Sequence, residues 1–278
     1  MSATTADEIT TEPLIADAAV LLDLESTGVA RIRLNRPDAA NGMSVPFLEA
    51  LNAAILRVLE DQRVRAVLLT GEGKHFCAGG DIRDFASKGE GLPDYLRVAT
   101  TLLQTAASGL MRLQAPVIAA VHGFAAGGGG LGLVCAADLV YAGESTKFMS
   151  AATRAGMAPD AGTSVTLTRI VGFRRAMEIV LADRVLTAQE ALEDGLINWV
   201  VPDDRLVDEA LALARRIAAG PTLAYGEAKR LMWEGLDGTA EARMPDEART
   251  VSRLSGTHDA REGLAAVIER REPRYEGR

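Results

Sequence analysis

The run Ala115-Pro116-Val117-Ile118-Ala119-Ala120-Val121-His122-Gly123-Phe124-Ala125-Ala126-Gly127-Gly128-Gly129-Gly130-Leu131-Gly132 constrains this chain more than any other stretch. An apolar, β-branched segment opens into a glycine-rich turn, and the turn feeds a helix of small residues. Where turn meets helix no side chain stands between the backbone N–H groups and a ligand. Such a turn suits an anion or a developing oxyanion. Any function this chain has is expected to centre there.

The rest of the sequence bounds the class. The chain has 278 residues, 48% hydrophobic, enough to build one large α/β domain or a main domain with an appendage. Its formal net charge of −8 argues against nucleic acid as a partner, since phosphate neutralisation needs a basic face. Residues 1–17 are polar and acidic, without the basic and apolar regions of a signal peptide. No later apolar run is long enough to span a bilayer, so no membrane association and a cytoplasmic location are expected. Cys77 and Cys135 lie in apolar or glycine-rich runs and read as reduced packing residues. No metal-ligand spacing is present, so no metal is expected.

Strands are expected at 19–24, 29–34, 64–70, 117–121 and 139–142. Helices are expected at 47–60, with Phe47, Leu51, Ile55, Val58 and Leu59 on one face, at 95–113, and from the glycine turn to about 137. Residues 82–93 read as a polar, mobile connector. Short extended pieces fall near Val185 and at 197–201, and helices follow at 203–219, 222–234, 238–254 and 258–270. Strands alternating with helices imply parallel βαβ units. The organisation expected is a flexible segment 1–18, an α/β core 19–202 and a helical C-terminal part 203–278 ending in a solvated basic tail.

Gly127 to Gly132 also satisfies G-x-G-x-x-G, a dinucleotide-binding fingerprint. In a run of four glycines the match is partly accidental, and the turn begins at Gly123, earlier than a Rossmann crossover needs. A second glycine loop, Phe76-Cys77-Ala78-Gly79-Gly80-Asp81-Ile82, is not part of such a unit.

Those two loops, with Leu34-Asn35-Arg36-Pro37, Arg169-Ile170-Val171-Gly172, Ala188-Gln189-Glu190-Ala191, Gly195-Leu196-Ile197, Val200-Val201-Pro202 and Thr257-His258-Asp259-Ala260-Arg261-Glu262-Gly263, closely resemble the enoyl-CoA hydratase/isomerase (crotonase) superfamily. The resemblance runs from about residue 19 to the end. It implies an α/β fold built as a spiral of ββα units, with C-terminal helices that make homotrimers or dimers of trimers. It also implies an acyl-CoA thioester substrate, with CoA part of the substrate and no separate cofactor. The two N–H groups that hold the thioester oxygen in that family map onto Gly80 and Gly128. One extra residue between Gly123 and Asp138 leaves Gly129 as an alternative to Gly128. Losing one such donor typically costs about 3–4 kcal/mol.

The same resemblance makes Arg36 either a ligand of a CoA phosphate or a solvated surface arginine, and has Ala40 and Ala78 meet adenine through backbone atoms. Asp81 is expected to cap the helix starting at Ile82 while their loop touches CoA. Lys229 and the C-terminal basic residues are candidates to reach a neighbouring subunit's CoA.

The two glutamates that activate water in the family's hydratases map onto Leu131 and Ala152, and the neighbouring positions carry no acid either. One acid remains nearby: Asp160, in Gly156-Met157-Ala158-Pro159-Asp160-Ala161-Gly162. This segment is similar to isomerases and aryl-CoA dehalogenases that carry aspartate here. The dehalogenases' histidine maps onto Gln104, which argues against that reaction. A single carboxylate that shuttles a proton must serve as base and then acid, and burial would lift its pKa to suit. The plainer role for Asp160 is a cap on the helix starting near Gly162. The reading that follows is double-bond isomerisation of an enoyl-CoA. A hydratase with a relocated acid, or a non-catalytic acyl-CoA-binding protein, stand as alternatives. His122 is expected to pack or to bond to the turn, His75 to sit in a loop, His258 to help start a helix, and Asp138 to be structural.

Overall fold

A computed structural model describes residues 9–278. Its main sheet starts with β1 (Thr11–Ile15), β2 (Val20–Glu25) and β3 (Val29–Leu34), all antiparallel. Helix α1 (Val45–Glu60) crosses over to β4 (Ala66–Gly71), which pairs parallel to β3. After α2 (Ile82–Ala86) and α3 (Leu92–Arg112), strand β5 (Val117–Val121) lies parallel to β4. The chain then makes β6 (Phe124–Ala126) and α4 (Gly127–Ala136) and returns as β7 (Leu139–Gly143) beside β5. Next come β8 (Lys147–Met149), α5 (Thr163–Val171), α6 (Phe173–Leu181), β9 (Leu186–Thr187), α7 (Ala188–Glu193) and β10 (Trp199–Val201), which closes the sheet on β7. The last helices are α8 (Leu206–Ala218), α9 (Thr222–Gly235), α10 (Ala240–Leu254) and α11 (His258–Glu269).

The main sheet has seven strands in the order β1-β2-β3-β4-β5-β7-β10, and β6-β8-β9 form a second, three-stranded sheet. The main order follows the chain, with no reversal. A dinucleotide-binding crevice opens where the order reverses, so this topology removes the Rossmann reading and matches a spiral of repeating units.

Strand pleating explains the two cores. In β4, Val67 and Leu69 face one layer while Ala66 and Leu68 face the other; Val117 and Ala119 against Ile118 and Ala120 repeat this in β5. The larger core is covered by α1, α3 and α4. The smaller is covered by α8, whose Leu206, Ala210, Leu213 and Ala214 recur at helical spacing. The helix expected to open a separate C-terminal part therefore forms the outer layer of the body.

Several boundaries differ from the sequence reading. Of the segment 1–18, residues 1–8 lie outside the described residues, and Thr11–Ile15 form an edge strand. The expected mobile connector holds α2 and the first turn of α3, with Pro93 in the helix's opening turn where no N–H partner is lost. Leu59 is exposed, and Leu48 and Ala54 complete the buried face of α1 instead. The end of the chain is pinned rather than loose. Buried Asp259 accepts the N–H groups of Glu276 and Gly277 at 2.8 Å each, and Arg65 donates to the Tyr275 carbonyl at 3.4 Å.

Candidate active site

The two glycine loops are joined through their backbones. Phe76 N–H donates to the His122 carbonyl (2.9 Å), Cys77 N–H to that of Phe124 (3.1 Å), and Ala126 N–H to that of Cys77 (3.0 Å). On its other side the first loop is held by Met43, whose N–H donates to the Gly79 carbonyl and whose carbonyl accepts the Asp81 N–H. Among the described residues the Gly80 N–H has no acceptor. Gly128 lies in the first turn of α4, where N–H groups have no intrahelical partner.

Four consecutive glycines are poor helix formers, each costing about 1 kcal/mol against alanine. Packing explains them. A side chain on Gly130 would collide with the Cys77 carbonyl, and one on Gly80 with the Phe85 ring. A side chain on Gly128 would overlap the Asp160 carboxylate itself. Gly129 faces Cys77 Sγ and Met43 Sδ and is buried, whereas Gly128 is only half-buried. Burial pushes the Cys77 thiol up to about 12, so this cysteine is a packing residue, as is Cys135.

Gly80, Gly128, Gly129 and Asp160 line one cavity of about 620 Å³, whose walls include Leu48, Phe85, Leu103 and Met157. Asp160 is the only carboxylate lining it among the described residues. Among the described residues its carboxylate accepts no hydrogen bond from another residue. The cap of α5 uses the Asp160 carbonyl, which accepts from Thr163 N–H (3.0 Å) and Oγ1 (2.7 Å), so the side chain is not a helix cap. Burial raises the Asp160 pKa, and only its own N–H opposes the shift. Ala152 lines the cavity without an acid, Leu131 is in the core, and Gln104 is exposed and outside the cavity wall.

The other sequence-selected residues sort as follows. Asp81 caps α2, accepting the Asp84 N–H at 3.0 Å. Arg36 is neither free nor simply solvated: it pairs with Asp81 (2.9 Å) and donates to the Gly42 carbonyl (2.6 Å). Ala78 N–H donates to the Ala40 carbonyl (3.0 Å), so these two alanines stand together at the loop edge, and Ile82 is exposed on the cavity rim. His122 Nε2 meets the Gly73 carbonyl at 3.0 Å. Thr257, not His258, caps α11. Asp138 is structural: it accepts from Val117 N–H (2.7 Å) and Trp233 Nε1 (3.0 Å). Lys229 is buried against Asp138 (2.7 Å), so it is not available to a neighbouring subunit's ligand. Sequence reasoning missed Phe85, which walls Gly80, and Tyr95. The Tyr95 hydroxyl bonds Asp84 and accepts the Val45 N–H (2.8 Å), which fixes α2 over the cavity. No local signal marks either residue.

Two glycines of the backbone-paired loops and a buried carboxylate without a partner among the described residues line one cavity, an arrangement able to support carbanion chemistry beside a carbonyl. The family model for enoyl-CoA hydratase/isomerase matches residues 25–278. The chain is 39% identical over 253 residues to a probable enoyl-CoA hydratase of Rhodobacter capsulatus, covering 91% of this chain and 96% of that one. It is 36% identical to the 1,2-epoxyphenylacetyl-CoA isomerase of Escherichia coli, covering 90% and 96%. The crystal structure of an enoyl-CoA hydratase from Bacillus anthracis superposes with a TM-score of 0.88 at 34% identity, covering 94% and 100%. The chain belongs to the enoyl-CoA hydratase/isomerase (crotonase) family of acyl-CoA enzymes. Among the described residues no helix is long and apolar enough to cross a membrane.

Proposed function

We propose that this enzyme isomerises the double bond of an enoyl-CoA, with Asp160 as the single proton carrier. The observation that carries the reading is the placement of Asp160 against Gly128: among the described residues it is the cavity's only carboxylate, desolvated and without a partner from another residue. The carboxylate removes a proton from C2 of a 3-enoyl thioester. Electrons move onto the thioester oxygen, and the dienolate oxyanion accepts hydrogen bonds from the Gly80 and Gly128 N–H groups. The protonated Asp160 then returns the proton at C4, giving the 2-enoyl thioester and restoring the carboxylate. Such donors act on charge that develops only as the reaction proceeds, and so favour the transition state over the bound substrate.

Gly128 is the better second donor than Gly129, because Gly128 borders the cavity beside the acid while Gly129 is buried between Cys77 and Met43. In this reading Arg36 braces the loop through Asp81, and Ala40, Ala78 and Ile82 form the rim over which CoA lies. The relatives' names include both hydratase and isomerase, and the empty hydratase positions Leu131 and Ala152 favour the latter. Val251, Leu264, Val267 and Ile268 are exposed apolar residues of α10 and α11, which suits self-association into the homotrimers expected of the family.

Incubation with a 3-enoyl-CoA in D₂O tests the reading. It predicts 2-enoyl-CoA and no 3-hydroxyacyl-CoA, with deuterium entering C4 only to the extent that the protonated Asp160 exchanges with solvent before it returns the proton. Recovery of unchanged 3-enoyl-CoA, with 3-hydroxyacyl-CoA formed instead from a 2-enoyl-CoA, would replace isomerisation with hydration.

A further inference from the structure

A second cavity, about 780 Å³, opens on the α8 side of the sheet, bounded by Leu206 and Val207. It is lined by Arg31, Arg33, Lys74, Lys147, His75 and His122, against only two carboxylates, Glu72 and Asp203. Arg31 and Arg33 project from β3 on the face opposite Ile32 and Leu34, which point into the core beneath the acyl cavity.

The charges in this cavity are not balanced. Arg33 is matched by Asp23 (2.7 Å) and Glu72 (2.8 Å), and Arg31 lies 3.9 Å from Glu25. Among the described residues Lys74 and Lys147 make no ion pair. Three buried nitrogens also lack a hydrogen-bond partner: Arg31 Nε, Arg33 Nε and His75 Nδ1. These three atoms are closed off inside the cavity wall, so the groups a ligand can meet are the two lysines without an ion pair, Lys74 and Lys147. Burial first, then the fields of Lys74 and His122, holds the His75 pKa below the ordinary imidazole range, as expected where positive charge is in excess.

We propose that this cavity is a second binding site, separate from the acyl-CoA cavity, for a small phosphate-bearing anion. Lysine ammonium groups and imidazoles, as compact donors of positive charge, suit the phosphate oxygens. The site's floor is the His122–Phe76 backbone contact, which continues into both glycine loops.

Calorimetric titration with inorganic pyrophosphate, on protein already saturated with CoA, tests the proposal. Saturable binding of one equivalent is expected, weakened at least tenfold by Lys147→Gln and by Lys74→Gln and unchanged by Asp160→Asn. The His75 imidazole, followed by NMR, should titrate at higher pH once pyrophosphate is bound. A parallel titration with CoA alone distinguishes the source: two equivalents per chain would make a second CoA the phosphate donor, and one would make it a free phosphate compound. No binding to the CoA-saturated protein, or equal binding by the folded lysine variants, overturns the proposal.

Discussion

The carboxylate of Asp160 lies where a side chain on Gly128 would have to be. One glycine thus does two things: it leaves an N–H free in the first turn of α4, and it makes room for the acid beside that N–H. Gly128→Ala should therefore lower kcat by about 10²–10³-fold, the range seen when one oxyanion donor is disturbed. The protein should stay folded, because the methyl group displaces a cavity side chain rather than core. Steady-state kinetics beside thermal melting decide this; near-normal turnover would separate the glycine from the acid.

Asp160→Asn should reduce isomerisation by about 10²–10⁴-fold, the usual contribution of a general acid–base group, while CoA binding persists. The same variant should be more stable than the parent at neutral pH. Burial raises the Asp160 pKa, so the folded state holds its proton more tightly than the unfolded chain. Stability is then lost as pH rises from the ordinary carboxylate range through the raised value. Melting curves should show the variant's advantage at pH 7 and none at a pH where Asp160 is protonated in both states. For the parent, kcat/KM should rise with pH as the base ionises.

Arg36 and Asp81 act together. If Arg36 bound CoA directly, only its removal would raise KM. Because Arg36 instead ties Asp81 and Gly42 into one loop, Arg36→Ala and Asp81→Ala should each raise KM for acyl-CoA, and the double variant should be little worse. The pair is partly exposed, so a stability cycle should show coupling of only about 0.5–1 kcal/mol. Additive KM effects would return Arg36 to the substrate.

Asp138 supports Val117, Trp233 and Lys229, all through a nearly buried carboxylate. Asp138→Ala leaves a buried lysine unpaired and should cost about 3–5 kcal/mol in denaturant unfolding. Adding Lys229→Met should recover part of that loss. If the double variant is no more stable than the single, the buried charge is not the source of the cost.

These residues also show where sequence suffices. Apart from β1, which falls in the segment expected to be flexible, the main-sheet strands were legible because each is an apolar run or an alternation bounded by turns, and the glycine loops because bare backbone has few other uses. Strands β6 and β8 were not, since three residues carry no periodicity and their pairing is made by partners elsewhere in the chain, and β9 showed only as the extended piece near Val185. Asp160 was identifiable by position, but its two candidate roles were separated only by packing. The Arg36–Asp81 pair and the Phe85 wall are tertiary contacts, invisible to local spacing.

The backbone bridge from Cys77 to Ala125 and Ala126 has a consequence for how such an enzyme changes. The donors for the thioester oxygen are set by main-chain pairing, which is indifferent to side-chain identity. In the proposed reading the group that handles the proton is a single residue on the cavity wall, Asp160, while the hydratase positions Ala152 on that wall and Leu131 in the core carry no acid. One half of the catalyst is therefore fixed by the path of the chain, and the other half can be rewritten a codon at a time. On that reading, an acid at position 160 instead of at 131 and 152 alters which bond is made while the grip on the thioester stays as it was.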